Sequence, residues 1–368
     1  MKIIHCADLH LDSKLNANLS KAKAKERKQE ILNTFVRMVD FADKNKVSAI
    51  LICGDLFDTK NISALSRNTF KEAVISHPEI VFFYLKGNHD KDNLMNSFEE
   101  VPENLVFFND SWSSYALGDT DRVVIHGVEL SAENSVSAQN NFAPDPSKIN
   151  IVMLHGQEAE TDVKDKAEII NLKLFRNKGI NYLALGHIHE YKRAELDGFA
   201  KYCYSGCLEG RGFDETGDHG FVLLDIDESR GTVEDSFVSF AYRRIYEIPV
   251  DVSGLNNTPA MLEAVKKGLN ESPAKDIDLV KVVLTGEVDV ECEKDTDFIR
   301  RTFEEDFYFL KVYDKTILKV DPKSYMYDSS LKGEFVRTVL GACDITEEEK
   351  GEIIRIGLET LMGGKPVV

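Results

Sequence analysis

The run Ala49-Ile50-Leu51-Ile52-Cys53-Gly54-Asp55 sets five consecutive apolar residues directly before a glycine and a carboxylate. Five such residues without a polar interruption read as a parallel strand covered on both faces, and the Gly-Asp pair marks its carboxyl end. The same order recurs along the chain. Residues 2–6 lead to Asp8-Leu9-His10, and residues 81–85 lead to Gly87-Asn88-His89-Asp90. Residues 149–154 lead to His155-Gly156, and residues 182–185 lead to Gly186-His187-Ile188-His189. Each block thus follows an expected strand, at the edge where open α/β sheets gather ligands.

Helical patterns at 25–45 and 63–76 alternate with these runs, so residues 1 to about 240 read as a mixed α/β layered fold. From 182 to 204 and from 220 to 239 the strands are closely spaced, with Asp227-Glu228-Ser229-Arg230-Gly231 as a hairpin turn; a second sheet packed on the first is expected there. After Arg243-Arg244 the pattern restarts as strand 245–252, helix 259–269, strand 278–285, helix 295–305 and strand 308–313. That β-α-β-α-β unit predicts a small separate α/β domain over 241–318. Residues 319–368 predict a helical tail. Its second helix opens with Thr346 and Glu349 at capping-box spacing and stops before Gly363-Gly364. The apolar residues Ile353, Ile354, Ile356, Leu358, Leu361 and Met362 cover more than one face of it, which suits docking on the chain's own core or on a partner.

With 368 residues the chain can bury a large sheet plus smaller additions. It has no apolar run of membrane-spanning length and opens on strand-like Met1-Lys2-Ile3-Ile4, so a cytoplasmic, unexported protein is expected. Six cysteines form no dense disulfide framework. Cys6 and Cys53 end core strands and read as small buried hydrophobes, while Cys203 and Cys207 carry only a weak redox or metal signal. A net charge of −18 disfavours purely electrostatic binding of polyanions. Lys21, Lys23, Lys25, Arg27 and Lys28 are the local exception, read either as a solvated helix face or as a phosphate-tracking edge.

Asp8 and His10 are two apart, as are His187 and His189, and in extended backbone such residues point the same way. The blocks mix carboxylate, imidazole and amide oxygen without thiolate, a set that suits manganese, iron or zinc. Two divalent ions about 3.5–4 Å apart share a bridging carboxylate and a bridging hydroxide and clamp a phosphate ester. Asp55 is the candidate bridge. His89, next to Asn88, is placed to stabilise or protonate the leaving oxygen, with Asp90 expected to hold its other nitrogen. Five of the nine histidines fall in the blocks; His5, His77, His126 and His219 read as structural.

In this order the blocks resemble the calcineurin-like metallophosphoesterase superfamily, over residues 8 to 189. The resemblance implies one metal, most simply Mn2+, on Asp8, His10, Asp55 and His189, a second on Asp55, Asn88, His155 and His187, and His89 as the catalytic histidine. The stretches 7–13, 54–58, Tyr204-Ser205-Gly206 and 209–215 are similar to the DNA-repair exonuclease branch, the SbcD-type nucleases. That branch implies a two-sheet phosphoesterase domain over 1–240, a DNA-holding cap at 241–318, a homodimer, and a coiled-coil ATPase of the structural-maintenance type docked on the tail. The expected activity is a metal-dependent DNA nuclease, exonucleolytic and also endonucleolytic. A phosphodiesterase or phosphatase acting on nucleotides or phosphoproteins is the alternative, and a non-catalytic ATPase scaffold stands third because no ligand is missing. Asp58 stands where some members of the branch carry histidine. The region from 241 onward holds 18 Lys and Arg against 25 Asp and Glu, which weakens DNA gripping by the cap alone.

Overall fold

The computed structural model describes residues 1–13, 15, 19–58, 62–90, 94–160, 169–289 and 292–361. These divide into two units, Met1–Arg244 and Ile245–Val368. The first runs β1 (Lys2–Cys6), α1 (Lys21–Lys44), β2 (Ala49–Cys53), α2 (Ala64–Ile75), β3 (Val81–Leu85), β4 (Leu105–Phe107), β5 (Ser113–Leu117), β6 (Val123–Gly127), α3 (Ser135–Asn141) and β7 (Ile149–His155). It continues through β8 (Gln157–Ala159), β9 (Ile169–Asn171), β10 (Ile180–Gly186), β11 (Lys192–Glu195), β12 (Lys201–Tyr204), β13 (Gly220–Asp227) and β14 (Thr232–Ser239).

Two six-stranded sheets result, in the orders β14-β13-β1-β2-β3-β4 and β11-β12-β10-β7-β6-β5. β1 to β4 pair in parallel, and β13 closes that side antiparallel to β1. Alternate residues serve different layers, as the two-residue period of a strand requires. Ile4, Ile50, Ile52, Phe82 and Tyr84 pack with Phe35 and Met38 of α1 and Phe70 of α2. Ile3, Leu51 and Phe83 meet Ile125, Ile151, Met153 and Ala184 of the second sheet. The outer face of that sheet, with Val152, Leu154, Leu183 and Leu185, is covered by Phe142 and Phe175. Each such fully buried side chain contributes roughly 2 kcal/mol of transfer free energy.

The second sheet is larger than expected from 182–239. It also takes β5, β6 and β7, whereas β13 and β14 return to the first sheet. Pairing with β1 lets β13 satisfy a backbone edge that β1 would otherwise expose. The expected hairpin turn joins β13 to β14, with Gly231 at φ +70° and its N–H donating to the Asp227 carbonyl at 2.8 Å.

The second unit comprises β15 (Ile245–Asp251), α4 (Thr258–Glu271), β16 (Leu279–Thr285), β17 (Glu287–Asp289), α5 (Thr296–Phe303), β18 (Phe309–Asp314), β19 (Ile317–Lys319), α6 (Leu331–Leu340) and α7 (Glu347–Leu361). β15, β16 and β18 form a parallel sheet, and Ile248, Val250, Val280, Val282 and Leu284 pack with Met261 and Val265 of α4 and Ile299 of α5. At the start of α7 the Thr346 and Glu349 side chains accept from each other's backbone N–H, at 3.2 and 2.7 Å. Ile354 and Leu358 pack with Val336 and Val339 of α6, while Ile353 and Leu361 remain exposed. Met362 and Gly363-Gly364 lie outside the described residues. Among the described residues no helix is long and apolar enough to cross a membrane.

Candidate metal centre

β1, β2 and β3 lie side by side in one sheet and β7 and β10 in the other, so five strand ends deliver their blocks to one edge of the first unit. The extended geometry expected for Asp8 and His10 is not what forms. Asp8, His10 and Asp55 adopt φ of 52°, 44° and 51°, and His187 adopts 105°. Left-handed backbone costs a non-glycine residue about 1–2 kcal/mol. Here a ladder between the loops after β1 and β2 offsets that cost. Asp8 N–H donates to the Gly54 carbonyl at 3.0 Å, His10 N–H to Asp55 at 3.0 Å and Leu11 N–H to Leu56 at 2.9 Å. Gly54, at φ +89°, turns the chain at the end of β2, where the absence of a side chain permits that backbone. Gly87 serves differently: it has no such φ, but a Cβ there would collide with Asp55 Oδ1.

The side chains converge. His10 Nε2 and His189 Nε2 face each other at 3.2 Å, and His155 Nε2 lies 2.9 Å from Asn88 Oδ1 and 3.5 Å from Asp55 Oδ2. Ligand atoms of Asp8, His10 and His189 fall within 4.8 Å of one another, as do those of Asp8, Asp55 and His155. Asp8 therefore belongs to both groups, whereas Asp55 joins only the second. The ring of His187 stands edge-on to that of His155 at 5.4 Å, and its backbone N–H donates to Asp8 at 3.0 Å.

The far nitrogens are engaged. His155 Nδ1 donates to the Cys53 carbonyl at 2.9 Å, and His189 Nδ1 lies 2.7 Å from Glu215 Oε1. Those contacts leave each Nε2 lone pair facing inward, the tautomer a metal ligand needs. Burial pushes the Asp8 carboxyl up to about 8; His189 opposes that shift and Asp55 adds to it. Two facing carboxylates, each 1% exposed, would be stabilised as anions by a divalent charge, and oxygen and imidazole donors are what such a cation takes. The residues present fit the two-ion centre.

Two expected partnerships are corrected. Asp90 does not hold His89. Its carboxylate accepts from the backbone N–H groups of Phe57 (2.9 Å), Gly87 (3.0 Å) and Leu56 (3.2 Å), pinning the loop after β3 to the loop after β2. A carboxylate that follows a turn glycine by three residues reaches back to the backbone more readily than sideways to its neighbour. Asp58 takes the expected place instead. Its Oδ1 lies 3.1 Å from His89 Nδ1 and 3.5 Å from His10 Nδ1, and its Oδ2 accepts from Ser13 Oγ at 2.9 Å. The contact with His10, ahead of that with Ser13, holds the Asp58 carboxyl well below the usual range. The signal is the spacing Asp55-Leu56-Phe57-Asp58, three residues beyond a ligand.

Arg27 is the second correction. It is buried and pairs with Glu209 at 3.0 Å and Glu30 at 2.6 Å, so it belongs to no phosphate-tracking edge, while Lys21 and Lys25 remain exposed. Cys203 faces the core between the sheets and Cys207 contacts His219 Nδ1 at 3.2 Å, two separate surroundings.

Against known proteins, the model of the calcineurin-like phosphoesterase family matches residues 1–191. The chain is 27% identical over 303 residues to the uncharacterized metallophosphoesterase YhaO of Bacillus subtilis (strain 168), covering 78% of this chain and 72% of that protein. It is 27% identical over 294 residues to the DNA double-strand break repair protein Mre11 of Methanopyrus kandleri, covering 73% of this chain and 63% of that protein. The match thus spans less than two thirds of that Mre11. Among solved structures, TT1561 of Thermus thermophilus aligns with a TM-score of 0.40 and 12% identity, over 64% of this chain and 98% of that one.

Proposed function

The chain belongs to the calcineurin-like phosphoesterase family and is a metal-dependent phosphoesterase, and from that premise we propose that it is a DNA nuclease of the Mre11 and SbcD kind. The observation that carries the proposal is the pairing of two Asp and His clusters at one edge with a similarity to Mre11 that extends well past the phosphoesterase match, over 73% of the chain. In this reading Asp8, His10, Asp55 and His189 hold one ion and Asp55, Asn88, His155 and His187 the other, with Asp8 close enough to serve both. Divalent ions held by these residues would supply positive charge to the phosphate oxygens and would lower the pKa of a bound water.

The protein's own groups do the rest. His89 has about half of its side chain exposed, and its Nδ1 is on Asp58. As an imidazolium whose Nδ1–H is held by Asp58, His89 gives its Nε2 proton to the leaving oxygen of a phosphodiester and is left as the neutral ring, still bonded to Asp58 through Nδ1–H. Asp90, through the three backbone N–H groups it accepts, keeps Asn88 and His89 beside Asp55; His89 N–H donates to Asp55 Oδ1 at 2.8 Å. The metal is proposed to be Mn2+. Residues 241–318 are proposed to cap the DNA, 319–368 to dock a coiled-coil ATPase of the structural-maintenance type, and two copies to form the working dimer.

Digestion of end-labelled linear double- and single-stranded DNA by the pure protein with Mn2+ tests the activity, beside a generic phosphodiester, a phosphomonoester and the Asp55→Ala variant. DNA cleavage that vanishes in the variant is the expected result. Hydrolysis of the small esters alone would replace the nuclease by a phosphodiesterase or phosphatase.

A further inference from the structure

The loop between β12 and β13 touches the centre through two residues that the family ligand pattern leaves unused, Arg211 and Glu215. Glu215 Oε1 lies 2.7 Å from His189 Nδ1, and its Oε2 accepts from the Arg211 backbone N–H at 2.7 Å. The Arg211 guanidinium adds 2.8 Å and 3.2 Å contacts to Glu215 Oε1, and its Nη1 lies 3.7 Å from Asp58 Oδ2. A polar chain therefore runs from His89 through Asp58, Arg211 and Glu215 to His189.

The loop is built to hold this position. Cys207 N–H donates to the His189 carbonyl at 3.0 Å, and His219 Nε2 donates to the Glu215 carbonyl at 2.9 Å. Two residues after Cys207, Glu209, 2% exposed, accepts from Arg27 at 3.0 Å and from Thr34 Oγ1 at 2.7 Å, both on α1. Glu209 anchors the loop without touching a ligand; Glu215 touches one.

The geometry points to Glu215 as the positioning residue of the first metal site: its carboxylate, itself oriented by Arg211, fixes the ring and tautomer of His189. The inference rests on the reading of His189 as a metal ligand. A carboxylate on the far nitrogen raises the basicity of a ligating imidazole and stops it turning, and loss of such a partner typically weakens metal binding 10–100-fold.

Calorimetric titration of the metal-free full chain with Mn2+ tests it, comparing wild type, Glu215→Gln and Glu209→Gln. Wild type should bind two ions. Glu215→Gln should weaken one of the two sites by roughly 10–100-fold and leave the other within about threefold, while Glu209→Gln leaves both within about threefold. Unchanged affinities in Glu215→Gln, or equal weakening in Glu209→Gln, would overturn the inference while the metal reading stands. A wild type that binds no Mn2+ would overturn both. A second readout needs no variant to fold. In wild type loaded with diamagnetic Zn2+, the His189 Nδ1–H proton should resonate far downfield and exchange slowly, and a spectrum without that resonance overturns the assignment.

Discussion

The two units are built from the same α/β grammar, yet they treat backbone strain and buried charge differently. Among the described residues, all seven non-glycine residues with left-handed φ belong to the first unit, and four of them are Asp8, His10, Asp55 and His187. Among the described residues of the second unit only Gly254 and Gly286 adopt positive φ, where glycine carries no steric cost. The buried His10 and His155 and the facing Asp8 and Asp55 likewise collect at the strand ends of the first unit, whereas the second contains no histidine. The other three non-glycine residues with left-handed φ, Lys46, Asp121 and Asn177, lie away from the centre, so the left-handed backbone of the first unit gathers at the ligand loops without being confined to them.

Breaking that contrast gives graded outcomes. Asp55→Ala should have the largest effect, lowering Mn2+ stoichiometry and reducing phosphoesterase turnover by roughly 10^3-fold or more; retained metal and turnover would remove Asp55 from the centre. His89→Ala should cut turnover by about 10^2–10^4-fold with Mn2+ binding unchanged. Cleavage at the parental rate would dismiss its role as proton donor.

Asp90→Ala leaves three backbone N–H groups without their acceptor and should cost on the order of 3 kcal/mol in a denaturant titration. A cost below about 1 kcal/mol would mean the loops hold without it.

The pH dependence of the metal-free protein sharpens the contrast. Burial raises the Asp8 carboxyl to about 8 and that of Asp90 to about 7, from an ordinary 3.8. Groups raised on folding bind more protons in the native state, so their contribution to stability falls as pH rises towards the folded pKa. Burial lowers His5 to about 3 from 6.5, so its opposite contribution is complete by pH 6.5. Between pH 6.5 and 8 the melting temperature of the metal-free protein should therefore fall, and Asp8→Asn should flatten the slope; a rise over that window contradicts the burial argument.

Ile299→Val, in the second unit, should be the mildest. It shortens a fully buried side chain in an ordinary core and costs about 1 kcal/mol, with Mn2+ binding and turnover unchanged.

What was legible in the sequence was whatever depends on neighbours along the chain. Apolar runs announced β1, β2, β3, β7 and β10, interrupted by His5 in β1 and Asn150 in β7, because a strand buried on both faces holds few polar residues. Gly-Asp and Gly-His pairs marked their ends, and the capping pair Thr346 and Glu349 marked the start of α7. Helix α1 begins at Lys21, four residues before the expected start, because Ser20 caps it by accepting from the Lys23 N–H at 3.3 Å.

Partnerships across the fold belonged to the tertiary structure. The sheet that β13 joins, the choice of Asp58 over Asp90 beside His89, the burial of Arg27 and the meeting of Glu215 with His189 link residues up to 225 positions apart, as in the Met1 amino group on the Ile226 carbonyl. The local pattern sets which residues can bond, since propensity and periodicity are properties of a short window. Which of them do bond is decided when the two sheets pack, because a buried carboxylate or imidazole must then take whichever partner the close-packed strand ends bring within reach.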